Sequence, residues 1–272
     1  MLKKVLMETP FPNRDFPLFR RLLLCGAFAV LVRPTDAFAA EDMPNKEIVC
    51  TRVEKSIPHD AIINLGGDCQ VAYQLAMNGL RKYALPFDAL ITPYESLRGL
   101  LRHEFEGFMI AENFELQEDE KGNKYILDKR YGARLIHDFR RDEKFLEDYE
   151  KVSSKYRRRI ERLFHLIRTA DHPLFVRKRI TKEQATELKH LLSVMRNGKP
   201  FLLVVLDDGE EIASDWHIEA VRNFYLKQPE PYSWKGDSEA WNLIFVQLGL
   251  ETSSVPKINL LSVAALYSQA AE

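Results

Sequence analysis

The run PFLLVVLDD at 200–208 is apolar from Phe201 to Leu206 and turns acidic only at its exit. A strand with no polar alternation has no face to show to water, so both of its faces must be covered. Helices packed on the two sides of a mostly parallel sheet supply that cover. The rest of the chain offers matching pieces. AIINLGG (61–67) is a second buried strand, closed by glycines, and PLFVRK (173–178) a third. Helical patterns alternate with them. One runs from Cys69 to about Lys82 through Val71, Ala72, Leu75, Ala76 and Leu80. Another opens at Thr181 with Glu183 and Gln184 in its first turn, and SDWHIEAVRNFYL (214–226) reads as a third, capped by Ser214 or Asp215. The expectation is a single α/β domain with a mixed, mostly parallel sheet and flanking helices. In such sheets ligand sites gather at the carboxyl ends of strands, where the turn before Cys69 and Asp207-Asp208 both fall.

The intervening chain is more varied. Pro93, Glu95, Leu97, Leu100 and Leu101 predict a helix, and EDEKGNKYILD (118–128) a hairpin tip. YGARLIHDF (131–139) alternates as a strand leading to His137, and a long helical pattern fills 142–170. Near the C-terminus WKGDSEAW (234–241) predicts a helix capped by Asp237 or Ser238 and anchored by Trp234 and Trp241.

The 272 residues, 46% apolar, can bury a full core without metals or several disulfides, and a net charge of −1 points to no nucleic-acid surface. The first 39 residues differ in kind. Paired arginines precede an apolar core from Leu22 to Val32, and Ala37-Phe38-Ala39 forms a small-x-small site, the pattern of a secretory signal. The core is too short for a comfortable membrane span, which needs about 20 residues. The expected organisation is a signal at 1–39, a lead-in at 40–59, a domain at 60–250 and a tail at 251–272. Cleavage after Ala39 would remove six basic and three acidic residues, leave a net charge of −4, and take Cys25 away. The mature protein is then expected to be secreted or periplasmic, with no stable membrane span and two cysteines, Cys50 and Cys69.

Cys69 stands where a glycine turn, with Asp68 as cap, hands over to a helix. Open N–H groups and the helix dipole there stabilise a thiolate or the oxyanion of an acyl intermediate. A disulfide to Cys50 is the competing reading; it would close a loop of about 20 residues and contribute roughly 3 kcal/mol. A merely packed thiol is the third. A nucleophilic cysteine needs a base. His103, His165, His190 and His217 lie in helical patterns, His59 in the lead-in, and His172 before a proline. His137, at a strand end, reads equally as a base and as a partly exposed polar residue. Asp138 beside it should point to the opposite face, so Asp207 is the chosen orienter. KYRRRIERLFHLIR (155–168) reads first as a solvated helix face. No Walker loop, dinucleotide fingerprint, HExxH or paired CxxC occurs, so no cofactor and no metal are expected.

INLGGDCQVAYQL (63–75), LRKYALPFDALITP (80–93), HDF (137–139), KYRRRIERL (155–163), LFVR (174–177), FLLVV (201–205) and WKGDSEAW (234–241), in this order, resemble a bacterial family catalogued as "putative papain-like cysteine peptidase" and otherwise of unknown function. The resemblance spans about residues 60–250. It implies Cys69 as nucleophile and His137 as base in an acyl-enzyme mechanism, on an α+β papain-like fold as the alternative architecture. It places Asn64 nearest the usual oxyanion-hole glutamine, and Gln70 where a tryptophan usually follows the cysteine; with Asp68 these surround the helix N-terminus.

Three functions therefore stand. One is a secreted cysteine hydrolase acting on a peptide, amide or ester. The second is an esterase-like α/β hydrolase, which lacks a serine at its turn. The third is a non-catalytic module for carbohydrate or envelope components, with Cys69 tied to Cys50.

Overall fold

The computed structural model describes residues 58–207, 214–226 and 228–250. The expected signal at 1–39, Cys25, Cys50 and the expected tail at 251–272 lie outside these. The α/β expectation holds. A four-stranded sheet is built from β1 (Ile62–Asn64), β6 (Leu174–Lys178), β7 (Leu202–Asp207) and β8 (Val221–Tyr225), all parallel and in that order. A second, antiparallel sheet is inserted between β1 and β6. It comprises β2 (Leu90–Ile91), β3 (Phe114–Glu118), β4 (Lys124–Asp128) and β5 (Ala133–Leu135), ordered β2-β5-β4-β3. The sequence announced its hairpin but not its separateness.

Among the described residues five α-helices flank the sheets: α1 (Gln70–Met77), α2 (Tyr94–Arg102), α3 (Tyr149–Thr169), α4 (Lys182–Met195) and α5 (Ser238–Gln247). Alternate side chains of the parallel sheet feed two cores. Ile63, Phe175, Leu203 and Val205 face a large cluster containing Leu163 of α3, Leu188 and Leu192 of α4, and Ile126 and Leu135 of the antiparallel sheet. Leu174, Val176, Val204 and Leu206 face a smaller one with Val71 and Leu75 of α1 and Trp241, Ile244 and Phe245 of α5. Helices cover both faces, as the apolar β7 requires.

Several ends follow from local chemistry. α4 carries the capping box expected at Thr181 and Gln184. α5 starts at Asp237, whose carboxylate accepts from the Glu239 and Ala240 N–H groups. α1 stops short of the expected Lys82: Gly79 takes φ +70°, and the Leu80 N–H reaches back to the Leu75 carbonyl at 2.8 Å.

Two expectations are corrected. Residues 214–226 are not a helix. His217 and Ala220 adopt positive φ, which breaks any helix there, and Val221–Tyr225 joins the sheet beside β7. The β-branched and aromatic residues of VRNFY outweigh the cap signal at Ser214. Trp234 is not a buried anchor. It is 52% exposed, while Trp241 is fully buried.

Candidate active site

The site begins with the turn that closes β1. Gly66 and Gly67 have φ of +79° and +110°, a region side chains avoid. Space forbids a side chain as well: a Cβ on Gly67 would lie 2.8 Å from the Lys178 carbonyl oxygen. Glycines thus let β1 turn against the end of β6 and enter α1 at once.

Polar side chains of the NLGGDCQ run then fasten the turn. Asn64, buried, accepts from the Gly66 N–H at 2.7 Å and donates to Asp88 at 3.1 Å. Asp88 in turn accepts from the Leu85 N–H and pairs with Arg81 at 2.8 Å. Asp68 accepts from the Gln70 N–H at 3.0 Å and pairs with Lys178 at 3.1 Å and Arg179 at 3.5 Å. Gln70, also buried, accepts from Lys178 at 2.7 Å and donates to the Trp234 carbonyl at 3.2 Å and the Gln228 amide oxygen at 3.3 Å. Asn64 and Gln70 were expected beside an oxyanion. The structure commits both amides to the scaffold instead, because each is buried and must satisfy its polar atoms locally. Asp68 does serve the helix N-terminus.

Two buried cations that sequence reading passed over hold the frame from β6. Lys178 faces α1 and neutralises Asp68. Arg177, on the opposite face, donates to the Leu65 carbonyl, the Thr92 hydroxyl and the Thr92 carbonyl at 2.9, 3.0 and 2.6 Å. It ties the end of β1 to the segment leaving β2. Burial pulls its guanidinium below the ordinary arginine range.

Cys69 is what this scaffold presents. Its thiol is free and half-buried at the head of α1. It makes no hydrogen bond among the described residues. Burial first, then the carboxylates of Asp68, Asp138 and Asp88, push the thiol from 9.0 up to about 11. The resting group is therefore a neutral thiol, despite the helix N-terminus.

His137 and Asp138 divide differently from the expectation. β5 ends at Leu135, so residues 136–139 leave the strand before His137, and His137 is exposed. Its neighbour turns inward. Asp138, with a side chain 6% exposed, accepts from Lys155 and from the Tyr156 hydroxyl of α3. Tyr156 is fully buried; burial and the Asp138 charge hold its phenol well above the ordinary value. Asp138 is thus the member of the HDF triplet that turns inward, and its charge adds to the upward push on the Cys69 thiol. Asp207 sits at the carboxyl end of β7, two strands from β1, and its backbone oxygen accepts from Leu226. The KYRRR run, read as a solvated face, supplies Lys155 and Tyr156 to the site.

Among the described residues no group of histidine, cysteine, aspartate and glutamate could hold a metal ion, and no helix is long and apolar enough to cross a membrane.

The fold and this junction define a layered α/β protein presenting one free cysteine where a strand passes through a glycine turn into a helix. Residues 60–203, just over half of the chain, match the family described as "Putative papain-like cysteine peptidase", a domain of unknown function, and the chain belongs to that family. An uncharacterized protein of Acanthamoeba polyphaga mimivirus is 26% identical over 167 residues, which cover 53% of this chain and 75% of that one. Its viral source does not support a restriction to bacteria. No solved structure matches the chain.

Proposed function

We propose that the protein is a thiol-dependent hydrolase of amide or peptide bonds with Cys69 as nucleophile. One observation carries the reading: Asn64, Asp68 and Gln70 all bond within the scaffold, and the thiol they surround bonds to nothing described. A scaffold of buried polar groups is costly to build, and its product here is a fixed thiol.

Asp138 is the proton acceptor in this reading, positioned by Lys155 and Tyr156. As sulfur attacks the substrate carbonyl, the thiol proton passes to the Asp138 carboxylate. N–H groups at the start of α1 face the developing oxyanion. Collapse expels the amine, which takes the proton from Asp138 and leaves a thioester. Water then attacks, giving up a proton to Asp138; collapse releases the carboxylic acid and expels the sulfur, which takes that proton back from Asp138 and restores the thiol. Delaying ionisation until attack suits a thiol whose resting state is neutral.

The test is turnover of a peptide-amide library by four proteins. Cys69→Ala should abolish activity, Asp138→Asn should lower kcat at least about a hundredfold, and His137→Ala should stay within a factor of two of wild type. Loss in His137→Ala with retention in Asp138→Asn would return the base to His137. Titration of denatured, unreduced protein adds a check. A mature chain with no free thiol would support the non-catalytic module with its Cys50–Cys69 disulfide.

We further propose export directed by residues 1–39, for which the paired arginines and Ala37-Phe38-Ala39 are the support. The N-terminal residue of protein recovered from the expressing cell tests it; Ala40 is expected.

A further inference from the structure

α1 presents Cys69, Tyr73 and Met77 along one face, at intervals of four residues, and all three are at least partly exposed. Side chains so spaced lie about 5–6 Å apart. The ring of Trp234 meets that of Tyr73 edge-on, with centroids 5.2 Å apart and planes at 64°. The Lys235 ammonium lies 5.6 Å from the Tyr73 centroid. An aromatic corner edged by a cation thus stands one helical turn from the thiol.

The corner is built, not incidental. Gln70 and Gln74 project from the adjoining face of α1 and are almost wholly buried, yet both serve the segment that carries Trp234. Gln70 donates to the Trp234 carbonyl at 3.2 Å, and Gln74 to the Lys235 carbonyl at 2.7 Å and the Ser238 hydroxyl at 3.3 Å. Gly236, with φ +77°, lets the segment lie flat against α1: a Cβ there would come within 2.7 Å of the Gln70 amide. Two buried glutamines are spent on holding a tryptophan that remains 52% exposed. Folding gains little from exposed indole, whereas fixed aromatic groups beside a reacting centre gain affinity for apolar groups.

We infer that Tyr73 and Trp234 form a specificity subsite for an aromatic substrate side chain one or two residues from the bond attacked by Cys69, and that Lys235 favours an acidic neighbour to that side chain. The substrate class is an acidic-aromatic peptide. Extended peptide advances about 3.3 Å per residue, which matches the separation of thiol and corner. Charge complementarity selects the neighbour, since Lys235 has no carboxylate partner among the described residues. Rings meeting edge-on make a notch for a side chain rather than the open face on which a sugar stacks. This subsite rests on the hydrolase reading for its meaning but can be measured without turnover.

The experiment compares alkylation of Cys69 by chloromethyl ketones of N-acetyl-Glu-Phe, N-acetyl-Lys-Phe and N-acetyl-Glu-Gly, each rate divided by that of iodoacetamide. The Glu-Phe reagent should react at least tenfold faster than Glu-Gly. Trp234→Ala should remove that preference without changing the iodoacetamide rate, and Lys235→Glu should invert the Glu-Phe over Lys-Phe preference. Equal rates for Phe and Gly reagents, or a preference untouched by Trp234→Ala, would overturn the subsite. Should no reagent label Cys69, saturable binding of N-acetyl-Glu-Phe amide to Cys69→Ser, lost in Cys69→Ser/Trp234→Ala, replaces the rate ratio, and its absence counts against the subsite. Selective labelling without hydrolysis of any peptide would leave the subsite standing and remove the hydrolase.

Discussion

A thiol that ionises near pH 11 is present as thiolate in about one molecule in ten thousand at pH 7. Burial is the first cause of this state and three aspartates add to it; they differ in what balances them: Asp68 faces Lys178 and Arg179, Asp88 faces Arg81, and Asp138 faces Lys155. Iodoacetamide labelling of Cys69 is therefore expected to rise about tenfold per pH unit up to near 11. Asp138→Asn removes a charge that opposes thiolate formation, so its labelling curve should move to lower pH. The same residue exchange lowers turnover if Asp138 is the base, so reactivity toward a small alkylating agent and catalysis should change in opposite directions. Stability carries a matching signature. The free thiol ionises near 9.0 and the folded one near 11, so raising the pH ionises the unfolded chain first. Stability present below about pH 9 is lost as pH rises toward 11, and urea titrations of Cys69→Ser should lack that component. Much of this residue-level picture was legible: NLGGDC marked the turn and the thiol. Which member of the HDF triplet turns inward was not. His137 and Asp138 are adjacent, so one residue of difference in where β5 ends decides which faces inward. Arg177 and Lys178 are the charged last residues of the PLFVRK strand, and only the pairing of β6 with neighbours on both sides buries them.

At the scale of elements, the glycine turn limits how far the site can drift. Gly67→Ala must place an L side chain at φ +110° and 2.8 Å from a backbone oxygen that cannot swing away. Backbone strain alone costs about 1–3 kcal/mol, and the close contact adds to it. The expected result is a lower urea midpoint and Cys69 labelling that no longer follows the wild-type pH curve, because β1 and α1 must separate from β6. Gly122→Ala is the control: that glycine also has positive φ, +80°, but lies at the exposed β3–β4 hairpin, where nothing comes nearer its Cβ site than the flexible Glu118 carboxylate at 3.6 Å. It should pay strain without altering the thiol. Elements with a local grammar were readable in sequence, namely the boxed start of α4, the Asp237 cap of α5 and the hairpin at Gly122. β8 was not. Its five residues follow a segment with good helix-cap residues, and the choice of strand is made by the open edge of β7, a partner invisible to any local window.

At the scale of the molecule, the described residues form two cores, one on each side of the parallel sheet, and α1 belongs to the smaller. Val71 and Leu75 rest in the cluster that holds Trp241, Ile244 and Phe245, so the C-terminal helix α5 supports the helix that carries Cys69. The family match ends at residue 203, yet β8 and α5 complete the sheet edge and this support. Trp241→Ala is accordingly expected to cost about 3–5 kcal/mol, and Leu192→Ala, in the larger core beneath α4, about 2–5 kcal/mol. Global stability alone cannot separate the two positions, but the thiol can. Loss of the indole removes packing directly under α1, so Cys69 should gain solvent and its labelling at pH 8 should quicken well below the melting transition. Leu192→Ala leaves α1, the glycine turn and Asp138 in place, and its labelling should match wild type until global unfolding begins. Equal labelling in the two variants at equal distance below their melting temperatures would mean that the smaller core does not hold the site, and that the turn of β1 against β6 suffices by itself.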